Sequence, residues 1–189
     1  GEKRLRKAHR LTAGDVEDLL RAGVREVIAA VLDPGDLNED AAAARVAAAL
    51  VSDHVEGRPP STGRVNLHAT EAGIFVVDRS IVDAINRVDP AITLATLEPY
   101  AAVEAGQMVA TVKIIPFAVQ EGLLARAEAI AGEGSAFSVR PFVPRSIGLI
   151  QTVLPSIKAS VLDKTARITE ARLARSVSRV TGELRPVHE

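Results

Sequence analysis

The chain predicts a mixed α/β protein in two parts. An α+β module covers residues 1–144, and the opening of a doubly wound parallel α/β sheet covers residues 145–189. Three observations predict this. Short runs rich in β-branched residues alternate with capped, helix-period segments as far as Phe142, the pattern of strands with covering helices. Residues 146–152, Ser-Ile-Gly-Leu-Ile-Gln-Thr, form a short apolar run of the kind that makes a buried parallel strand. The polar loop 155–160 then leads into a long helical pattern, and strand, polar loop and helix in that order make the edge where open α/β sheets hold ligands. Only residues 184–188 remain for a second strand. The second part is therefore expected to be incomplete and to pack on the first module or on another chain.

The elements follow in order. Residues 1–10 are strongly basic and read as a solvated strand or ligand-facing edge, with a nucleic-acid arm as the competing reading. Thr12-Ala13-Gly14-Asp15 has the form of a helix N-cap with an acidic third position, Val16, Leu19 and Leu20 supply the apolar stripe, and Gly23 ends the helix. Residues 24–32 alternate weakly, become apolar and predict a strand. Asp33-Pro34-Gly35-Asp36 is a turn. Asn38 caps a second helix through the alanine run to Val51, where alanine favours the helix but buries little surface. The Pro59-Pro60 pair makes residues 53–63 a loop. Residues 64–68 and 73–77 predict strands, and Ile81, Val82, Ile85 and Val88 recur at helical spacing before Asp89-Pro90. Residues 92–97 and 107–115 are β-like, the second entered through the turn 104–107. A helix over 118–131, ending at Gly132-Glu133-Gly134-Ser135, precedes a strand over 138–142.

Composition bounds the chemistry. Hydrophobic residues make up 47% of the chain and aromatic residues only 3%, so the core must be built from Val, Ile, Leu and Ala. Without cysteine there is no disulfide framework, thiolate metal site or cysteine nucleophile. A formal net charge of −1 gives no global attraction to nucleic acid or anionic membrane. No apolar run approaches the roughly 18 residues of a membrane span, and the N-terminus lacks the apolar centre of a secretory signal. A cytoplasmic protein without a membrane partner is expected.

Most catalytic constellations are missing from the sequence. His9, His54, His68 and His188 have no i,i+3 or i,i+4 partner, whereas a metal centre needs three or four converging ligands, so no metal site is assigned. There is no phosphate loop ending in Lys-Ser/Thr, no dinucleotide fingerprint and no nucleophile elbow around Ser146 or Ser160. Catalytic residues stay unassigned. The stretch 152–172 remains. Ser160 or Asp163 is expected to cap the following helix, whose free N–H groups and dipole suit a phosphate. Lys158 and Lys164 add positive charge at that edge. Further along, Leu173, Val177 and Val180 are the expected buried stripe, with Arg167, Arg172, Arg175 and Arg179 on a solvated face.

These residues resemble a known family. Gly148-Leu149-Ile150-Gln151-Thr152, Leu154-Pro155 and Ser160-Val161-Leu162-Asp163-Lys164-Thr165 look like the start of a molybdopterin-binding domain, as found in molybdopterin molybdotransferases and adenylyltransferases. Similarity is greater to bacterial proteins that join such a region to a molybdenum cofactor cytidylyltransferase-like domain. It is carried also by Lys7-Ala8-His9-Arg10-Leu11-Thr12, by residues 62–67 and 89–97, and by Gly106-Gln107-Met108-Val109-Ala110-Thr111-Val112-Lys113-Ile114-Ile115-Pro116-Phe117.

The resemblance implies a part in molybdenum cofactor biosynthesis or nucleotide modification, within a transferase-like protein. The implied ligand is molybdopterin or a nucleotide-linked form, with Mg2+ or molybdate in the full-length protein. It implies that Thr152, Ser160, Asp163, Lys164 and Thr165 surround this small-molecule pterin ligand: Asp163 orients polar groups or a metal-bound water, Lys164 meets phosphate, and Thr152 and Thr165 offer hydroxyls. The family's later glycine-rich turn has no counterpart before Glu189, so the chain alone is expected to be inactive. The alternative is a non-catalytic scaffold or dimerisation module of a larger multidomain protein, with a homodimer covering exposed strand faces. Nucleic-acid binding is the weakest expectation, since no aromatic stacking platform accompanies the basic N-terminus.

Overall fold

A computed structural model describes residues 5 and 9–187 of the chain. Most of the basic N-terminal segment, and His188, lie outside the described residues. The fold is mixed α and β. In order along the chain it runs α1 (Ala13–Arg21), β1 (Asp36–Asn38), α2 (Glu39–Ala49), β2 (Val55–Gly57), β3 (Arg64–Ala69), β4 (Gly73–Val77), α3 (Arg79–Asn86) and β5 (Ile92–Thr96). It continues with β6 (Ala102–Val103), β7 (Met108–Ile114), β8 (Ala118–Gln120), α4 (Glu121–Gly132), β9 (Phe137–Pro141), β10 (Ser146–Ile150), α5 (Ala159–Ala174) and β11 (Arg179–Leu184).

Three helices begin where a short polar side chain takes up unpaired amides. Thr12 Oγ1 accepts from the Asp15 amide at 3.2 Å while the Asp15 carboxylate accepts the Thr12 N–H at 2.9 Å, a reciprocal capping box. Asn38 Oδ1 accepts from Ala41 N at 2.9 Å. Asp78 accepts from the Ser80 hydroxyl and from the amides of Ser80 and Ile81, and these bonds, the hydroxyl's first, hold its carboxyl below the usual carboxylate range.

The first module is antiparallel throughout. One sheet has the order β2-β3-β7-β5 and a second the order β6-β4-β9, while β1 pairs with β8. Alternation buries Val65, Leu67 and Ala69 on β3. On β7 two consecutive residues, Val109 and Ala110, are buried, because Leu67 faces Ala110 while His68 faces Met108. Val109 is thus the extra residue of a bulge, and the shift turns it inward. Helix α2 lies on β3, β7 and α4, and α3 lies on β5 and α4. Ala42, Ala43 and Ala47 are buried with Val46, so small side chains bring α2 close to the sheet and let many contacts form. Phe75 and Phe137 meet at the centre with ring centroids 5.7 Å apart. Arg45 ties α2 to α4, donating from Nε and a terminal nitrogen to both Glu128 oxygens at 2.8 and 2.7 Å, and to Glu121 at 3.1 Å.

Residues 24–32 differ from the expectation. They form no strand, and Val24, Val27, Ile28, Val31 and Leu32 are all exposed. Their β propensity finds no neighbouring strand edge, and propensity alone does not hold an extended segment in a sheet. Gly23 does turn the chain, at φ +78.

Residues 146–184 form a parallel β10–α5–β11 unit. Its second strand begins at Arg179 rather than at Leu184 as the sequence suggested. The connected core of the first module takes in residues from Ala42 to Val139 and none from this unit. Of the unit's own hydrophobic side chains only Leu162 is buried; Val177 is exposed, and Leu173 and Val180 are half-buried. Arg167, Arg172, Arg175 and Arg179 are exposed.

Candidate functional site

The candidate site is the edge where β10 gives way to α5. Past Ile150 the chain stays beside β11: Gln151 N donates to Leu184 O at 2.9 Å, Val153 N donates to Pro186 O at 2.8 Å, and Val153 and Val187 form a parallel bridge. The side chain of Gln151 is buried and joins all three elements. Its Nε2 donates to Leu162 O on α5 at 3.1 Å and to Glu183 Oε1 on β11 at 2.7 Å. The sequence reading placed Gln151 in the strand without giving it this role. Its signal was a long polar side chain directly after an apolar run.

Helix α5 begins after Lys158, which has extended backbone angles and no side-chain capping bond. This corrects the expectation that Ser160 or Asp163 caps the helix. Both stand inside it, and Ser160 is in its first turn. The early amides of α5 are left without a side-chain acceptor, and they carry the positive end of the helix dipole.

The predicted ligand residues divide. Helical spacing puts Ser160, Asp163 and Lys164 on one face, because positions three and four apart are neighbours. All three are exposed. Thr165 lies off that face, and its hydroxyl donates to Val161 O at 2.9 Å, one turn back along its own helix. Thr152 is exposed in the loop after β10, with no side-chain hydrogen bond among the described residues. Lys158 and Lys164 are exposed and form no ion pair among the described residues. Asp163 accepts from a terminal nitrogen of Arg185 at 2.7 Å, while Arg185 Nε donates to Glu183. Hydrogen bonds from Arg185 and then Gln151 hold Glu183 below the usual carboxylate range, and the two carboxylates raise Arg185. The two carboxylates outweigh the charge of Arg185, and Lys158 and Lys164 together tip the edge back to a positive sign.

The donor set fits the phosphate end of a ligand: the first α5 amides ahead of Val161, whose own N–H donates to Lys158 O at 2.9 Å, two ammonium groups and the hydroxyls of Thr152 and Ser160. It fits the expected role of Asp163 less directly, because that carboxylate must leave Arg185 to orient another polar group.

The histidines are scattered. His9 Nε2 lies 3.0 Å from Asp15 and His54 Nδ1 lies 3.2 Å from Glu71, while His68 Nδ1 is buried without a partner. Among the described residues no group of three or more His, Asp or Glu side chains could hold a metal ion. Among the described residues no helix is long and apolar enough to cross a membrane. Comparison with models of known families, with curated proteins and with solved structures finds no match to this chain.

Proposed function

We propose that the chain is a molybdopterin-binding protein taking part in molybdenum cofactor biosynthesis or nucleotide modification. One observation supports the reading above the rest: a parallel strand–loop–helix edge whose helix starts without a side-chain cap, flanked by Lys158 and Lys164. In this reading the α5 amides, Lys158, Lys164 and the hydroxyls of Ser160 and Thr152 hold the phosphate of the pterin or of its nucleotide-linked form. Asp163 turns to the polar edge of the ligand after exchanging its bond to Arg185. Thr165, bonded to its own helix, has a structural part. The protein residues position the ligand and neutralise its phosphate.

The test is calorimetric titration of molybdopterin into the chain and into its Lys164→Ala and Asp163→Ala variants. Saturable binding is expected, with Lys164→Ala weakening it about tenfold through loss of a charge-assisted bond. Binding that is absent, or unchanged in both variants, overturns the reading.

The second reading, a scaffold or dimerisation module, has its own support. The outer edges of β10 and β11 have no strand partner among the described residues, and Ile150, Leu184 and Val187 are exposed beside them. Sedimentation equilibrium decides it: a dimer that Ile150→Lys dissociates supports the module, and a monomer at all concentrations removes it.

A further inference from the structure

The three-stranded sheet β6-β4-β9 has a second face that the core does not use. Phe75, Phe137 and Val139 point inward. By alternation Ile74 and Val76 of β4, and Ser138 and Arg140 of β9, share the opposite face, with Val76 beside Ser138 and Ile74 beside Arg140. This face floors an open groove of about 740 Å³, a volume in the range of small-molecule sites. Pro99, Tyr100, Asp78, Arg79, Ser80 and Arg140 line it as well.

Tyr100 is the groove's most informative residue. It is the single tyrosine of a chain with no tryptophan. Its backbone sits at φ +66, a conformation that disfavours a bulky side chain. The bond from Tyr100 N to Phe75 O at 2.7 Å and that from Phe75 N to Ala101 O at 2.9 Å fix it there. The consequence is a tyrosine 75% exposed at the groove. Backbone strain that leaves an aromatic ring in solvent is the kind of cost found at ligand sites.

The charges suit one ligand class. Arg79 and Arg140 line the groove, are exposed, and make no ion pair or hydrogen bond among the described residues. The hydroxyl of Ser138 between them is likewise without a partner among the described residues. Asp78 is occupied by the amides of Ser80 and Ile81 and by the Ser80 hydroxyl, so the N-terminus of α3 is already capped. The anion-holding charge is therefore on the two guanidinium groups. Ile74, beside Arg140, lies five positions before Arg79, so the two arginines enter from opposite ends, separated by up to roughly 17 Å of extended chain. A chain of phosphates can span two guanidinium groups so placed, and a flat base can stack on the ring.

We propose that this groove binds a nucleoside di- or triphosphate, its base on Tyr100 and its phosphates along Ser138 between Arg79 and Arg140. The site lies on the first module and is independent of the β10–α5 edge.

Calorimetric titration of ADP into the chain tests the proposal, with AMP, adenosine and pyrophosphate as the other arms. ADP is expected to bind saturably, AMP more weakly, and adenosine and pyrophosphate each at least about tenfold more weakly. Arg79→Ala and Arg140→Ala, both at exposed positions, each weaken ADP about tenfold. Tyr100→Gly does the same without lowering the thermal midpoint, because glycine takes a positive φ without strain, and Tyr100→Phe keeps the affinity. Lys164→Ala leaves ADP binding unchanged, which separates failure of this site from failure of the pterin edge. Absence of saturable ADP binding, equal affinity for pyrophosphate, or indifference to both arginine substitutions overturns the proposal.

Discussion

Both regions of the molecule are fastened by an arginine held between two carboxylates, and the arginine has a different task in each. In the first module Arg45 bridges Glu121 and Glu128 across the outside of α2 and α4, which already share an apolar core containing Ala43, Val46, Leu124 and Ala127. In the C-terminal unit Arg185 bridges Asp163 and Glu183 over elements that bury only Leu162 among their hydrophobic side chains. The first cluster is an addition to packing. The second, with buried Gln151, takes the place of packing. An exposed ion pair contributes little beside buried apolar area. The first module is therefore expected to carry the cooperative stability, and the βαβ unit to open more easily.

The largest expected effect breaks the first region. Phe75→Ala empties a fully buried position against Phe137 and should cost about 3–5 kcal/mol, read from the denaturant midpoint. Next is Gly73→Ala. Its new Cβ would stand 2.3 Å from the carbonyl oxygen of Arg140, so β4 and β9 must separate. A loss of about 1–3 kcal/mol is expected from this overpacking. Leu162→Ala sharpens the comparison. Hydrogen exchange should quicken by an amount equivalent to about 2 kcal/mol in β10, α5 and β11 while β3 and β7 keep their protection. Slower exchange lost in both regions together would show one cooperative unit.

The smallest effect follows pH. The hydrogen bonds from Arg45 lower Glu128, so its contribution is fully present above the ordinary carboxylate pKa near about 4.3 and is lost as pH falls through the lower folded value. Glu183 behaves with the same sign. Glu128→Gln should remove at most about 1 kcal/mol at neutral pH and flatten the acid limb of the stability curve measured by chemical denaturation.

Much of this was legible where the signal was local. Thr12 and Asn38 sit at helix starts because a side-chain oxygen can reach an amide two or three residues on, a relation contained in adjacent letters; Asp78 obeys the same rule, yet the sequence reading did not single it out. The Asp33–Asp36 turn and the short strand over residues 64–68 were read for the same reason. What escaped depends on distant partners. Residues 118–120 read as the start of a helix, yet they pair with β1 as β8 before α4 begins at Glu121. Ala and Val serve either structure, and an antiparallel edge far away in sequence decides between them. Residues 24–32 fail in the opposite sense, with strand composition but no edge to join. At the candidate site the strand–loop–helix order and the cationic edge were readable. The cap was not, since several polar residues in one loop are interchangeable on paper and only backbone angles single out Lys158.

Tyr100 also makes the molecule its own spectrometer. With no tryptophan and one tyrosine, the near-ultraviolet emission of the whole chain comes from a single ring, apart from a faint phenylalanine background. That ring is already in solvent when the protein is folded. Unfolding should change its emission little, and so the loss of structure has to be followed by far-ultraviolet dichroism. A planar molecule settling on the ring would quench it against a silent background. The optical signal of this protein is thus nearly blind to folding and selective for occupancy of one surface.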